Sequence, residues 1–116
     1  MIKRKMISNK HVDAESILKD WEASDMISIL SEENRFIKKI ENENCKITVF
    51  IAEDYYLRIN STLTVTVIAE ETVDATSVEI IVSGGKEGLL GLSYGAERNA
   101  AKRLVKLLKE KGFEEQ

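Results

Sequence analysis

Three consecutive segments in the second half of the chain constrain its fold more than any other feature. Residues 46–59, 62–69 and 77–83 alternate apolar and polar side chains with the period of two that is typical of half-buried strands. The connections between them are short, and they are built from polar residues such as Asn60, Ser61 and Asp74. Such connections join neighbouring antiparallel strands, so the sequence predicts an antiparallel meander.

The alternation also assigns a face to each residue of the meander. It places these residues towards the core: Leu63, Val65, Val67, Ala69, Val78, Ile80 and Val82. In the first segment Ile47, Val49 and Ile51 alternate with Thr48, Phe50 and Ala52, and we assign Phe50 to the outer face. Glu53 and Asp54 interrupt this segment, which predicts either one strand with a bulge or two short strands.

Two amphipathic helices are predicted at the ends of the chain. Asp13 is the expected N-cap of the first helix, whose buried face carries Ala14, Ile17, Leu18 and Trp21. The second helix is predicted over residues 96–111, with a buried stripe of Ala100, Ala101, Leu104, Val105, Leu107 and Leu108. Gly112 and Phe113 follow it with the spacing of a Schellman ending.

The remaining segments give weaker signals. Residues 1–10 are basic and aperiodic, which indicates a loose arm or a short edge segment, and residues 34–44 are predicted to be a linker. The short apolar segment 26–31 favours a strand over a helix start. We therefore predict one domain, residues 1–116, with a two-layer α+β fold. Its three- to four-stranded antiparallel sheet carries an N-terminal and a C-terminal helix packed on one face.

Composition excludes several classes of function. The formal net charge of −3 is too small to indicate a nucleic-acid or membrane partner by bulk electrostatics. No apolar run approaches the length that would span a bilayer. Cys45 is the only cysteine, so an intrachain disulfide is excluded and a reducing, cytoplasmic location is expected. His11 and Cys45 lack metal-ligand spacing, and we expect neither a metal nor another cofactor.

A glycine-dense stretch, residues 82–95, holds five of the six glycines and joins the last strand of the meander to the second helix. Backbone amides in such a connector can bind an anion or a small ligand, and the candidate residues are Gly84, Gly85, Lys86, Gly88 and Arg98. The stretch lacks the spacing of either common phosphate-binding motif. Three leucines within it favour the alternative, a close-packed structural turn.

Two further clusters were weighed as sites. Glu53, Tyr55 and Tyr56 could serve a small enzyme, but adjacent strand residues point to opposite faces and no nucleophile–base pattern accompanies them. A basic stripe on the second helix, formed by Arg98, Lys102, Lys106 and Lys109, could bind nucleic acid. The acidic overall charge favours a solvated helix face instead.

The outer sheet face gives the preferred functional hypothesis. If both helices cover one face, apolar residues are left exposed on the other, and such a patch usually marks a partner surface. The predicted interface comprises Phe50, Thr64, Thr66, Ile68 and Ile81. We expect a non-enzymatic binding domain that forms a homodimer through this face or by edge-to-edge pairing.

The combination of three motifs resembles a known family. Tyr55-Tyr56-x-Arg58 is followed by Ser83-Gly84-Gly85-x-x-Gly88, and then Ser93-x-Gly95-Ala96-Glu97 opens the last helix. Together they are similar to a family of small single-domain bacterial proteins of unknown function, found mainly in Firmicutes. The likeness covers residues 26–116, and this chain departs from it in a longer 34–44 segment. The resemblance implies no activity, substrate or cofactor.

Overall fold

The computed structural model describes residues 1–24, 34–56, 61–84 and 92–116, and within them it contains six strands and two helices. In chain order the elements are β1 (Ile2–Ser8), α1 (Ala14–Ser24), β2 (Arg35–Glu41), β3 (Lys46–Tyr56), β4 (Ser61–Glu71), β5 (Thr76–Gly84), α2 (Leu92–Glu110) and β6 (Glu114–Glu115). All six strands belong to one antiparallel sheet in the order β2-β3-β4-β5-β1-β6.

The α+β class with an antiparallel sheet is confirmed, but the prediction of three to four strands is wrong. One of the missed strands is β1, which lies inside the sheet between β5 and β6 rather than forming a loose arm. Its buried residues, Met6 and Ser8, alternate with exposed or half-buried ones, and Met6 pairs with Val78 of β5. Lys3 and Lys5, which precede Met6, point to the other face, so they obscure an otherwise ordinary strand pattern.

The second missed strand, β2, replaces the predicted linker. Its side chains are exposed apart from Arg35, so apolar alternation cannot reveal it. It forms by pairing along its full length with β3, from Arg35↔Ala52 to Glu41↔Lys46. The strand favoured for residues 26–31 falls outside the described residues.

The central meander of β3, β4 and β5 forms as predicted, with one difference in β3. Its register with β4 runs unbroken from Lys46↔Glu71 to Tyr56↔Ser61. Glu53 and Asp54 are therefore ordinary positions of one long strand, and neither a bulge nor a break interrupts the ladder there.

The predicted face of Phe50 is wrong. Phe50 lies directly opposite Val67, which makes both residues project from the same side of the sheet, and each is almost fully buried. Thr48 and Ala52 are buried on this side too, whereas Ile47, Val49 and Ile51 are only half-buried on the other. Apolar residues occupy both sides of this segment, so hydrophobicity alone does not decide its orientation, and pairing with β4 does.

Both helices cover the same face of the sheet. Asp13 caps α1 as predicted, because its Oδ1 accepts a hydrogen bond from the amide of Glu15. The end of α2 is the predicted Schellman motif: Phe113 N–H donates to Leu108 O, and Gly112 N–H donates to Lys109 O. Side chains of both helices join the strands in one core, which includes Ile17, Leu18, Trp21, Leu63, Val65, Val82, Leu104, Val105 and Leu108.

Candidate interaction surface

The outer face of the sheet, opposite the helices, is built from rows of side chains set by the strand register. One row runs Phe36, Ile51, Thr66, Ile81 and Lys3 across β2, β3, β4, β5 and β1. The next runs Lys38, Val49, Ile68, Glu79 and Lys5. The first row is charged only at Lys3 of β1, whereas the second is charged at Lys38 of β2 and again at Glu79 and Lys5. The apolar part of this face therefore extends from β2 to β4 and is interrupted by Lys38.

Edge strand β2 is where apolar exposure is greatest. Phe36, Ile37 and Ile40 are exposed by 53%, 49% and 53%, and in the described part of the chain only Met1 and Val73 are comparable large apolar residues. Phe36 and Ile40 lie on the outer face, and Ile37 lies on the helix side of the same strand. We call the following set the open surface: Phe36, Ile37, Ile40, Ile47, Val49, Ile51, Ile68 and Ile81.

A groove between α1 and β2 continues the open surface on the helix side. It has a volume of about 410 Å³ and is lined by Glu22, Arg35, Phe36, Ile37 and Phe50. Arg35 Nη1 donates to Glu22 Oε2 at 3.3 Å, whereas Arg35 Nε is buried and has no hydrogen-bond partner within the described residues. The groove therefore combines exposed apolar carbon with a guanidinium whose hydrogen-bonding capacity is not fully used.

Four of the predicted interface residues lie together on the outer face, and the fifth does not. Thr64, Thr66, Ile68 and Ile81 are half-buried there, while Phe50 is a core residue. Sequence reasoning missed the residues of β2 and assigned the apolar residues of β3 to the wrong side. Residues 35–41 show no alternation of apolar and polar side chains, so the sequence carries no signal that identifies this strand without its partner.

The predicted ligand-binding residues are only partly described. Gly84 is the last residue of β5 and has a φ of 102°, a conformation that favours glycine and fits a structural turn. Arg98 is exposed on α2, while Gly85, Lys86 and Gly88 lie outside the described residues. The anion-binding hypothesis for this stretch stays a prediction.

A cleft at the end of the sheet contains His11, which had no role in the sequence-based hypotheses. The cleft has a volume of about 660 Å³, and its lining includes His11, Cys45, Lys46 and Glu71. His11 Nε2 and Glu71 Oε1 are 2.9 Å apart, and Glu71 is only 4% exposed. Nearby, the buried hydroxyl of Thr76 accepts a hydrogen bond from Val12 N–H. These contacts attach the start of α1 to the β4–β5 turn, which is a structural role.

The geometry gives no support for a Cys–His catalytic pair in this cleft. Cys45 immediately precedes Lys46, the residue paired with Glu71, so its side chain projects towards the face opposite that of Glu71 and His11. Cys45 Sγ lies 3.8 Å from Glu70 Oε1. Partial burial and the negative charges of Glu70 and Glu71 raise the pKa of the Cys45 thiol, which disfavours the reactive thiolate.

The other two clusters identified in the sequence stay predictions. Tyr55 and Tyr56 end β3, and their side chains are outside the described set. Arg98, Lys102, Lys106 and Lys109 are exposed on α2, which is compatible with a solvated face. Within the described residues, no three His, Cys, Asp or Glu side chains converge as metal ligands, and no helix is long and apolar enough to cross a membrane.

Comparison with known proteins gives one match. The model of a family of unknown function, DUF6054, matches residues 5–112 of the chain. No curated protein and no solved structure is significantly similar to this chain. The match agrees with the resemblance to an uncharacterised family seen in the sequence, and it adds neither an activity nor a source organism.

Proposed function

Since the chain belongs to DUF6054, a family of unknown function, we propose its role from its own structure: a non-enzymatic cytoplasmic interaction domain that acts as a homodimer. The β2 end of the open surface supplies the contact between the two copies. The single observation that carries this proposal is the concentration of exposed apolar residues on β2 and on the adjoining outer face. Contiguous exposed apolar patches are uncommon on monomers and usually mark interaction sites.

The distribution of charge on the outer face supports a contact centred near β2. Lys3 and Lys5 of β1 and Glu79 of β5 occupy the far side of the face, while β3 contributes Ile47, Val49 and Ile51 beside β2. Lys38 of β2 interrupts this apolar part, so the surface is low in charge rather than free of it. Protein interfaces are usually depleted of charge towards the centre and charged at the rim. A second copy fits such a patch, because most soluble oligomers are homo-oligomers with two-fold symmetry.

Two observations support a role in binding over one in catalysis. Partial burial and the neighbouring carboxylates raise the pKa of the Cys45 thiol, which disfavours the thiolate, and His11 is engaged by the buried Glu71 on the other face. A free cysteine in a chain with no disulfide also supports a reducing compartment such as the cytoplasm.

Sedimentation velocity over a concentration series that reaches the high micromolar range tests this proposal. We expect a monomer–dimer equilibrium, which Ile40→Thr shifts towards the monomer because it removes exposed apolar area from the open surface. Val73→Thr is the matched control, since Val73 is 86% exposed in the β4–β5 turn, outside that surface. A monomer at every concentration would overturn the proposal, as would equal weakening by both variants.

A further inference from the structure

The edge strand β2 is open to a further strand. It is a terminal strand of the sheet, and β3 is its one neighbour among the described strands. The opposite edge is formed by β6, which is only two residues long. A seven-residue edge with three exposed apolar side chains is a template for strand addition, which natural proteins usually block with short or irregular edges.

The hairpin between β2 and β3 fixes which backbone groups of β2 face outwards. Asn42 N–H donates to Cys45 O at 2.9 Å, so these two positions face each other as a hydrogen-bonded pair. Because such pairs alternate along an antiparallel ladder, Phe36, Lys38 and Ile40 direct their amide and carbonyl groups to β3. The backbone groups of the intervening residues point towards the open edge: Arg35, Ile37, Lys39 and Glu41.

The sequence of β2 is complementary to itself in one antiparallel register. When two copies pair symmetrically about Lys38, Arg35 of each lies opposite Glu41 of the other, and Phe36 lies opposite Ile40. The outward backbone groups of the two strands then face one another. Pairing about Ile37 instead sets Arg35 against the like charge of Lys39. A register shifted by one residue would place the outer-face side chains of the second copy on the helix side of the first.

Arg35 is also prepared for a partner carboxylate. Its guanidinium bonds Glu22 through Nη1 and its side chain is 29% exposed, so its charge is accessible to a second copy, although Nε is buried. Glu41 lies on the same side of β2 as Arg35, because both occupy odd-numbered positions of the strand. In the register about Lys38, Glu41 of the second copy therefore faces this guanidinium.

We infer that two copies of the chain associate by antiparallel pairing of their β2 strands about Lys38, which joins the two sheets into one. The inference rests on the proposed homodimer and specifies its geometry. In this register Arg35 faces the opposite charge of Glu41, Phe36 faces Ile40, and Ile37 faces Lys39. The pair of like charges is Lys38 against Lys38 at the symmetry axis, where like charges directly opposite each other are destabilising.

A charge exchange between two variants tests this register. Arg35→Glu alone sets glutamate against Glu41, and Glu41→Arg alone sets arginine against Arg35, so each variant dimerises roughly tenfold more weakly than the parent. An equimolar mixture of the two restores both oppositely charged pairs within a mixed dimer. Native mass spectrometry distinguishes the mixed dimer by its mass, and we expect it to dominate over both homodimers.

Lys38→Thr gives an independent measurement that leaves Arg35 and its bond to Glu22 intact. Removal of the like-charge pair at the axis should lower the dissociation constant of the dimer roughly threefold or more, as measured by sedimentation equilibrium. A parent dimer that is insensitive to all three variants, or whose mixed dimer does not dominate, overturns pairing through β2 while the homodimer itself stands. A parent chain that stays monomeric overturns both.

Discussion

The rings of Trp21 in α1 and Phe50 in β3 meet edge to face, with centroids 5.6 Å apart and an interplanar angle of 75°. Both side chains are almost fully buried, and aromatic pairs in this arrangement add about 0.5–1.5 kcal/mol beyond the area that they bury. The contact joins the first helix to the sheet at a strand adjacent to β2. Because β2 pairs with β3, this contact also stabilises the strand on which β2 depends.

The pairing of Trp21 with Phe50 predicts unequal roles for neighbouring residues of β3. Phe50→Ala should reduce the free energy of unfolding by about 3–5 kcal/mol, because it leaves a cavity beneath α1. Ile51→Ala is the matched control on the outer face, where Ile51 is only half-buried, and it should cost about 1 kcal/mol. Urea denaturation measures both values. Equal losses would show that the assignment of faces in β3 is wrong.

Two buried threonines are predicted to respond in opposite ways to the same substitution. Thr76 and Thr48 are each 1% exposed, but of the two only Thr76 has hydrogen-bond partners among the residues that the structure describes. Its Oγ1 accepts from Val12 N–H at 2.8 Å and donates to Lys10 O at 3.2 Å. Thr76→Val should therefore cost about 1–3 kcal/mol, because the amide of Val12 loses its acceptor.

The hydroxyl of Thr48 is buried with no partner in the described part of the chain. Thr48→Val keeps the shape of the side chain and removes a buried polar group that has no hydrogen bond, so it should leave stability unchanged or raise it by about 1 kcal/mol. Thermal and urea denaturation of the two variants, measured in parallel, give the comparison. A loss of stability in Thr48→Val as large as that in Thr76→Val would contradict the assigned hydrogen bonds.

The Schellman ending of α2 predicts that most substitutions of Gly112 lower the free energy of unfolding. Its φ of 93° disfavours residues with a Cβ, although a Cβ at this position would meet no atom within 4 Å. Gly112→Ala should therefore cost about 1–2 kcal/mol through backbone strain alone. Gly112→Asn should cost less, since asparagine tolerates left-handed conformations better. Thermal melts that rank the two variants in the reverse order would contradict this explanation.

Local patterns were sufficient for some elements of this fold and insufficient for others. The alternation in β4, the cap at Asp13 and the glycine after α2 each identify their element, because the pattern and its physical cause lie within a few residues. By contrast, β2 exists because β3 offers it a full ladder of backbone partners. The sequence of β2 alone does not predict this pairing, because nearly all of its side chains are exposed and show no apolar alternation.

The candidate surface shows the same dependence on non-local pairing. Ile68 and Ile81 were placed on the outer face because their own strands alternate cleanly. Phe50 was misplaced because residues 47–52 are apolar on both sides, and its orientation follows from pairing with Val67, seventeen positions along the chain. The exposed apolar residues Phe36 and Ile40 belong to this surface because β2 is an edge strand, which its own sequence does not indicate.

The ion pair between Arg4 in β1 and Glu115 in β6 predicts a pH-dependent contribution to stability. Arg4 donates from Nε to Oε2 of Glu115 and from Nη2 to Oε1 at 2.6 Å. This hydrogen bonding, helped by the positive charge, lowers the pKa of Glu115 below its usual 4.5. A carboxyl group whose pKa is lowered in the folded state stabilises the fold fully when the pH is above its usual pKa. This contribution is lost as the pH falls through the lowered pKa.

Glu115→Gln should therefore reduce the free energy of unfolding at neutral pH by no more than about 1 kcal/mol, because the pair is partly exposed and screened by water. The difference from the parent should shrink as the pH falls below 4.5 and vanish once Glu115 of the parent is protonated. Glu114→Gln is the matched control, since the adjacent position of β6 faces the other side of the sheet. Urea titrations across this pH range measure both differences, and a deficit in Glu115→Gln that persists in acid would show that the ion pair is not its cause.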